Sequence, residues 1–291
     1  MAWLFIKLQQ SLPKKLITKI IFFLARIKVK VIKDFLIKNF ISIYSINTDE
    51  VLKKIPDDFI TFNDFFIREL KPNSRTIISG EDNICSPADG KLTMFGKINN
   101  DTILQAKNKT YSIEDLLQEN KTVTESFYDG IFATIYLAPY NYHRVHSPIE
   151  GEITGITHIP GALFSVNEVT TNNIPKVLAR NERVVCHIRV RDRQVAIVFV
   201  GALNVGSIST PWTGLIKPIG KGAARDLILN KNVNKKVNKG DLLGWFNMGS
   251  TVVSVFPKGL ISLKENIKKD QKIYMGDCLG SINEEISPNA K

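Results

Sequence analysis

From Ile84 onward the chain is a succession of short apolar or alternating runs separated by turn residues. Runs of this length, bounded by glycine, predict β-strands rather than helices. Because these strands are many and short, we expect a mostly antiparallel β body folded as a barrel or a sandwich. The clearest predicted strands are Ile131–Leu137, Val184–Val190, Val195–Val200, Leu242–Phe246 and Val252–Phe256.

Helices are predicted mainly in the amino-terminal part of the chain. Residues 1–48 form an apolar and basic segment with helical periodicity, and Asp49–Leu70 has the capping residues of short helices. A further helix is expected at Ser112–Gln118, which begins like a capping box. The predicted fold class is therefore α+β, with a helical arm at residues 1–48 followed by a β-rich domain at residues 49–291.

The net charge of +11 is distributed unevenly along the 291 residues. Residues 1–40 hold nine Lys or Arg side chains and one acid, Asp34, so the rest of the chain carries only +3. These cations lie among bulky aliphatic residues rather than in a hydrophilic tail, which argues against nucleic-acid binding. A hydrophobic fraction of 44% excludes a disordered or fibrous chain.

If the amino-terminal arm is helical, an apolar stripe lies opposite a cationic stripe. Such a helix fits an anionic lipid interface, and it also fits packing on its own domain with a solvated basic face. Uncharged runs such as Ile20–Ala25 are too short to span a bilayer, and no signal-peptide cleavage pattern follows. The two stripes are Ile17, Ile20, Leu24, Ile27, Val31 and Phe35 against Lys19, Arg26, Lys30 and Lys33.

A weak internal repeat links two Pro-then-Gly turns that each lead into a predicted strand. Ser86-Pro87-Ala88-Asp89-Gly90-Lys91-Leu92 is echoed by Ser147-Pro148-Ile149-Glu150-Gly151-Glu152-Ile153. The pattern predicts two related β-hairpin units.

The four histidines differ in how much their neighbours suggest chemistry. His143 and His146 lie three residues apart beside an arginine and a proline turn, which favours a functional site. No nearby cysteine or carboxylate completes a metal ligand set, so no metal is expected. His187 lies within a strand pattern and is interpreted as structural. The three cysteines are odd in number and far apart, which excludes a disulfide framework and a Cys-x-x-Cys zinc site.

The Gly249-Ser250 peptide has one distinctive chemical possibility beside that of an ordinary turn or bulge. Because Gly249 has no Cβ, its carbonyl is open to attack by the hydroxyl of Ser250, which forms an ester if a base removes the proton and the backbone is strained. Asp, His and Ser are the parts that such an activated nucleophile needs. Asp89 by itself is ordinary turn chemistry.

In order along residues 60–260, these elements resemble the phosphatidylserine decarboxylase proenzymes. Met248 stands where that family usually has leucine, and residues 73–76 also depart from its pattern, but no reactive group is affected. The segments that carry the resemblance are Phe65-Phe66-Ile67-Arg68-Glu69-Leu70-Lys71-Pro72, Ser86–Gly90, Tyr142–Pro148, Pro160–Asn167, Val200-Gly201-Ala202, Val205–Ile208, Lys239-Gly240-Asp241 and Met248-Gly249-Ser250-Thr251.

The resemblance implies a zymogen that cleaves itself between Gly249 and Ser250. His146, oriented by Asp89, would activate Ser250, and β-elimination of the resulting ester would give a β chain of residues 1–249 and an α chain of residues 250–291. Ser250 would become a covalent pyruvoyl cofactor that forms a Schiff base with phosphatidylserine and acts as an electron sink. His143 would supply the proton that completes phosphatidylethanolamine.

The resemblance also implies partners and a location. The substrate lies in a bilayer, so the arm would bind an anionic membrane surface at the cytoplasmic side of the cell membrane, as a peripheral protein. The α and β chains would stay together as a heterodimer, with further dimerisation left open. Two alternatives are a membrane-binding homologue that does not mature, and a β-hairpin carrier or phosphotransfer domain modified on His146.

Overall fold

A computed structural model describes residues 6–7, 9, 12–203, 207–227 and 235–283. It consists mostly of antiparallel sheets, with helices concentrated at the amino-terminal end and between strands, which confirms the predicted α+β class. The described helices are α1 (Lys14–Leu24), α2 (Lys30–Tyr44), α3 (Phe62–Phe66), α4 (Ile113–Leu117), α5 (Lys121–Glu125), α6 (Glu168–Asn173) and α7 (Val177–Arg180).

The strands follow the predicted apolar runs closely, because β-branched and aromatic residues pack well on a pleated surface. The first nine are β1 (Asn83–Cys85), β2 (Gly90–Lys97), β3 (Thr102–Ala106), β4 (Lys109–Ser112), β5 (Ile131–Tyr136), β6 (Arg144–His146), β7 (Gly151–Ile159), β8 (Arg183–Val190) and β9 (Arg193–Val200). The others are β10 (Ile208–Thr210), β11 (Gly214–Ile216), β12 (Arg225–Asp226), β13 (Lys236–Val237), β14 (Leu242–Phe246), β15 (Thr251–Phe256), β16 (Ile261–Leu263), β17 (Lys272–Ile273) and β18 (Cys278–Ile282).

The main sheet has the order β12-β7-β8-β9-β15-β5-β2-β17, with β13 also paired to β7. Among the described strands this path is open, so the expectation of a closed barrel is wrong. Its two outer strands, β12 and β17, are each two residues long and do not pair with each other. Smaller sheets have the orders β11-β10-β14-β6, β1-β18-β16 and β3-β4.

Strand β15 lies in the interior of the main sheet and follows directly after Ser250. It pairs antiparallel with β9 on one side and β5 on the other, and all six of its residues are buried. The Gly249-Ser250 peptide is thereby fixed at the entrance of the best-buried strand in the sheet. A cut at this peptide would leave β15 bound between two strands of the preceding chain.

The two turns at residues 86–92 and 147–153 repeat one another in their backbone contacts. In each, the first serine donates its hydroxyl hydrogen to the carbonyl two residues further on, at 2.8 Å for Ser86 and 2.6 Å for Ser147. The carbonyl of each serine accepts from the N–H of a glycine in a Gly-Asp pair, Gly276 in one case and Gly240 in the other. The two turns are therefore alike, but neither closes a hairpin, because β1 and β6 lie in smaller sheets and β2 and β7 lie in the main sheet.

Within residues 12–48, all of which the structure describes, the amino-terminal arm is divided into two helices, so the single continuous apolar stripe predicted for it is wrong. The chain breaks between α1 and α2, where the carbonyl of Ala25 accepts from the N–H of Asn63 at 2.8 Å. Lys33, predicted on the solvated face, is buried and donates to the Pro56 carbonyl at 2.7 Å. Among the described helices, none combines the length and apolar character needed to cross a bilayer.

Helix α2 packs on α3 and forms a small apolar core that is separate from the main one. Thr61 caps α3 through a reciprocal capping box with Asp64, a start that the sequence reading missed. This cap fixes the helix so that Phe66 is buried against the α2 residue Phe40, with ring centroids 5.8 Å apart. The arm is therefore part of the wall beside the site described next.

Candidate active site

The segment that joins β14 to β15 carries the Gly-Ser peptide in a strained conformation. Met248 has φ = 129°, a region that side chains with a Cβ rarely adopt. Immediately afterwards, the carbonyl of Ser250 accepts from the N–H of Leu137 at 2.8 Å. The strain that the chemistry requires therefore lies one residue before Gly249, next to a well-anchored strand.

Ser250 is buried, with 1% of its surface exposed, and its hydroxyl has no hydrogen-bond partner among the described residues. It lines a cavity of about 230 Å³, called here the Ser250 cavity. A hydroxyl without a partner is not held by a hydrogen bond, so it is free to take part in a reaction. The cavity is lined by Phe40, Tyr44, Phe66, Tyr136, Leu137, Pro139, Ser165, Val166, Ala202, Leu203, Met248, Gly249 and Ser250.

His143 is the histidine that the structure brings to the Gly-Ser peptide. A Cβ placed on Gly249 would lie 3.4 Å from His143 Cε1, so this face of the glycine is turned toward the imidazole. The ring is fully buried and stacks on Phe66 at a centroid distance of 4.1 Å. Its Nε2–H donates to the carbonyl of Pro139 at 3.2 Å, and its Nδ1 has no partner among the described residues.

Burial lowers the pKa of His143 to about 3, and the positive charge of Arg68 acts in the same direction. The imidazole is therefore neutral near pH 7. A neutral imidazole donates only from the nitrogen that carries its hydrogen and accepts a proton at the other. His143 thus holds an unoccupied ring nitrogen beside Gly249, which lines the Ser250 cavity.

His146 lies on β6, and both of its ring nitrogens are occupied. Nδ1–H donates to the Gly240 carbonyl at 2.8 Å, and Nε2 accepts from the hydroxyl of Tyr142 at 3.0 Å. Burial lowers the pKa of His146, whereas the negative charge of Asp89 acts to raise it, which places that carboxylate within electrostatic reach of the ring. His146 is neutral near pH 7, in the form that a general base needs.

Asp89 is buried and tightly held by a neighbour that the sequence reading did not single out. Arg75 contacts both carboxylate oxygens, at 3.0 Å from Nε to Oδ1 and 2.5 Å from Nη2 to Oδ2. The N–H of Met275 donates to Oδ1 at 2.9 Å. Asp89 lines a second cavity of about 170 Å³, the Asp89 cavity, together with Arg68, Arg75, Glu50, Tyr142, Lys272 and others.

The three members of the predicted triad are thus not joined by any hydrogen bond that the structure describes. Ser250 faces one cavity, Asp89 faces another, and His146 is occupied by Tyr142 and Gly240. His143, expected to act only after cleavage, lies nearest to the Gly-Ser peptide.

Two buried amides, which the sequence did not predict as part of the site, hold the segment before the Gly249-Ser250 peptide. Asn63 Nδ2 donates to Asn247 Oδ1 at 3.1 Å, and Asn247 Nδ2 donates to Ser209 Oγ at 2.9 Å. These contacts tie the end of β14 to α3 and β10. The only sequence feature that could have pointed to Asn63 is its position two residues before the Phe65–Pro72 segment.

The other two histidines are each bound to a carboxylate. His187 Nε2 lies 3.3 Å from Glu119 Oε1, which agrees with its interpretation as structural, and His158 Nε2 lies 2.7 Å from Glu182 Oε1. Within the described part of the chain, no group of three or more His, Cys, Asp or Glu side chains could hold a metal ion. Val205 and Gly206, named in the resemblance, lie outside the described residues.

Comparison with known proteins identifies the family of the chain. The sequence model of the family described as phosphatidylserine decarboxylase matches residues 62–281, and a second model described as PSD matches residues 4–45. A phosphatidylserine decarboxylase proenzyme of Saccharophagus degradans is 43% identical over 279 residues, which cover 96% of this chain and 97% of the relative. Those of Francisella tularensis subspecies holarctica and novicida are 43% and 42% identical over 283 residues, covering 97% of this chain and 99% of each relative.

These matches show that the protein is a decarboxylase of the kind that is made as a zymogen. The chain belongs to the phosphatidylserine decarboxylase family.

Proposed function

We propose that this chain cleaves itself between Gly249 and Ser250 and then converts phosphatidylserine to phosphatidylethanolamine and CO2 with a pyruvoyl group derived from Ser250. The observation that carries the proposal is the buried, unpartnered Ser250 hydroxyl, next to a glycine and a strained Met248, in a chain of this family. The proposal covers maturation, turnover and membrane attachment, which are argued in turn.

In maturation, Ser250 Oγ attacks the carbonyl carbon of Gly249, and the peptide bond is exchanged for an ester. Elimination then breaks the Cβ–Oγ bond of Ser250, which leaves a carboxylate on Gly249 and a dehydroalanine. Water converts the latter to the pyruvoyl group with loss of ammonia. The unpartnered hydroxyl of Ser250 supports this route, because no hydrogen bond within the described residues has to be broken before it attacks.

Within this proposal, His146 removes the Ser250 proton and Asp89 orients His146. The electrostatic influence of Asp89 on His146 supports the pairing, since it favours the protonated ring that forms when the base has accepted a proton. The contacts of His146 with Tyr142 and of Asp89 with Arg75 must then be exchanged during maturation. His143 is the second candidate base, favoured by its free Nδ1 beside Gly249.

For turnover, the residues present at the site fit a pyruvoyl group, since Ser250 lies in a cavity and Gly249 leaves space beside His143. That group supplies an electron sink for loss of CO2. We assign to His143 the delivery of the proton that replaces the carboxylate, because its ring lies beside Gly249 and is held there by Phe66. Since the imidazole is neutral near pH 7, its free Nδ1 first takes up a proton from the ammonium group of the substrate and then returns it. The substrate is taken to be phosphatidylserine because the relatives carry that name.

After cleavage, residues 1–249 form the β chain and residues 250–291 the α chain. Strand β15 of the α chain pairs with β5 and β9 of the β chain, so the two chains are expected to remain associated as a heterodimer.

Membrane attachment is proposed for the arm, residues 1–48, with residues 49–291 as the catalytic domain. Exposed apolar side chains on α1 and α2 support it, among them Phe23 at 72% and Val31 at 78% exposure. A row of exposed apolar side chains beside cations is typical of a peripheral helix on an anionic bilayer. The proposed location is the cytoplasmic side of the cell membrane.

Maturation is tested by comparing two serines of the same buried strand region. Ser250→Ala should leave one intact chain on a denaturing gel. Ser254→Ala should cleave like the parent, because Ser254 is equally buried and equally unpartnered but does not follow a glycine. Cleavage of the Ser250→Ala protein, or loss of cleavage in both, would refute the assignment.

Attachment is tested with the double variant Phe23→Ser/Phe35→Ser, which removes exposed apolar side chains from α1 and α2. It should release the protein from vesicles that contain anionic lipid, while Leu104→Ser, an exposed apolar change on β3, should not. Both proteins should still cleave. Equal cosedimentation of the two variants would place the membrane contact elsewhere.

A further inference from the structure

A groove of about 350 Å³ lies between α1 and the segment that follows β11. Its apolar wall is made by Phe22 of α1 together with Leu163 and Pro218. It shares no lining residue with the Ser250 cavity. It is therefore a separate site on the same molecule, called here the lysine groove for the side chains described next.

Three ammonium groups line the lysine groove, contributed by Lys15 and Lys19 of α1 and by Lys217. No Asp or Glu is among its lining residues. Lys15 Nζ donates to the carbonyl of Ile219 at 3.3 Å, which leaves hydrogens for a further acceptor. Like charges gathered around one apolar hollow repel each other, so an anion bound between them would be stabilised.

A neutral donor lies at the same place. Thr18 lines the groove between the turns of Lys15 and Lys19, is only 3% exposed, and its hydroxyl has no described hydrogen-bond partner. A buried hydroxyl is normally satisfied, and a rotation of the Thr18 side chain that turns this one into the groove would give an oxygen-rich ligand a neutral donor beside the three cations. This observation is independent of the charges.

The backbone of the groove wall opposite α1 is held in place by hydrogen bonds to Glu182. The Glu182 carboxylate accepts from the N–H groups of Ile219 and Gly220 at 2.7 and 2.9 Å, and from Gly161 at 2.9 Å. Gly220 has φ = +84°, and a Cβ there would overlap the Lys15 side chain. The backbone is thus fixed in a form that gives Lys15 its place along the groove.

One edge of the groove adjoins the apolar face of α1. At 100° per residue, Lys19 lies between the groove-lining side of the helix and the side that carries Leu16, Ile20 and Phe23. Leu16, Ile20 and Phe23 are 55%, 50% and 72% exposed. A ligand with an anionic head and apolar tails would satisfy both surfaces at once, which free phosphate would not.

We propose that the lysine groove binds the phosphodiester head group of an anionic phospholipid, with the acyl chains along the exposed face of α1. The site is distinct from the reaction site and does not require that lipid to be a substrate. It rests on the proposed membrane attachment of the arm, and it would hold the enzyme on anionic regions of the bilayer in one orientation.

The test uses the full-length Ser250→Ala protein, which cannot turn over, and monomeric dihexanoyl-phosphatidylglycerol in isothermal titration. Binding should be saturable, and Lys15→Gln/Lys217→Gln should weaken it by about tenfold or more. The matched control is Lys28→Gln/Lys38→Gln, which removes the same charge from exposed lysines of the arm outside the groove and should bind within about twofold of the parent. Thr18→Val, which changes no charge, should weaken binding by about fivefold.

Equal weakening in the two lysine pairs would show diffuse surface attraction and overturn the proposal. Equal affinity for dihexanoyl-phosphatidylcholine, or competition by inorganic phosphate at the same concentration, would overturn the assignment to an anionic lipid. Cleavage measured in parallel, with Ser250 restored, keeps the two proposals apart. If the groove variants cleave normally but lose lipid, the groove is supported, whereas a parent that binds lipid but never cleaves contradicts only the proposed function.

Discussion

The Ser250 cavity and the Asp89 cavity differ in the charge of the side chains that line them. The first is walled mainly by aromatic and aliphatic side chains, while the second contains Asp89, Glu50, Arg68, Arg75 and Lys272. They share no lining residue. Ser250 thus lies in a cavity without charged lining residues and Asp89 in a charged one, so the structure holds the parts of the proposed triad apart.

The segment of residues 139–146 connects the two cavities. Pro139 lines the Ser250 cavity, Tyr140 and Tyr142 line the Asp89 cavity, and the two histidines lie within the same stretch. His143 is turned toward Gly249, and His146 toward Tyr142 and Gly240. A small shift of this segment would change which histidine meets Ser250, and the predictions below separate the two.

The largest expected effect is on maturation. His146→Ala should slow cleavage by about 10² to 10⁴-fold, the range typical of losing a general base. The measurement is the fraction of intact chain against time after synthesis, with His187→Ala as a control that removes a histidine bound to Glu119 far along the sequence. Normal cleavage of His146→Ala together with an uncut His143→Ala protein would transfer the base role to His143.

A comparable effect is expected on turnover when His143 is removed. His143→Ala should still cleave at least in part, and its decarboxylation rate should fall by about 10² to 10⁴-fold. Borohydride trapping of bound substrate separates loss of proton delivery from loss of binding. A variant that cleaves, traps substrate and turns over at the parent rate would remove His143 from the mechanism.

Burial of His143 also predicts a pH dependence of stability. Its folded pKa of about 3 lies below the ordinary value of 6.5, so the unfolded chain binds the extra proton first as the pH falls. The free energy of unfolding is therefore highest above about pH 6.5 and falls as the pH is lowered from there to pH 3. The loss is about 2 kcal/mol at pH 5. Urea unfolding of the Ser250→Ala protein at pH 7 and pH 5 should show this loss, and adding His143→Gln should reduce it. An unchanged pH dependence would mean that the imidazole is solvated.

The smallest expected effect is a change in cleavage rate when the hydrogen bond between Tyr142 and His146 is removed. Tyr142→Phe removes the hydroxyl that occupies His146 Nε2, so the base is released and cleavage should become about fivefold faster, the equivalent of one ordinary hydrogen bond. Initial cleavage rates of the two proteins decide the matter. A slower variant would show that Tyr142 assists the reaction instead of competing for the base.

Much of this fold was accessible from the sequence because its strands are continuous apolar runs. Leu242–Phe246 was predicted with the observed bounds, and the helix at Ser112–Gln118 was found through its cap. The break in the arm was not predicted, because it depends on a contact between Ala25 and Asn63 that no local sequence pattern shows.

The candidate residues of the site were also accessible, but their spatial grouping was not. Motifs pointed to Asp89, His143, His146 and Ser250 as separate positions along the chain. The clamp of Arg75 on Asp89 and the pairing of Asn63 with Asn247 join residues 14 and 184 positions apart. Side-chain contacts of this kind follow from the tertiary packing of α3 and the two turns, which sequence periodicity does not encode.

The central claim is that Ser250 becomes the reactive group of the enzyme by cutting its own chain. Denaturing mass spectrometry of the purified full-length protein tests this most directly. The account predicts two chains, residues 1–249 and a chain of 42 residues that begins at position 250, blocked to Edman sequencing and labelled by carbonyl reagents. A single intact chain of 291 residues, or a short chain with a free serine at its amino terminus, would contradict it.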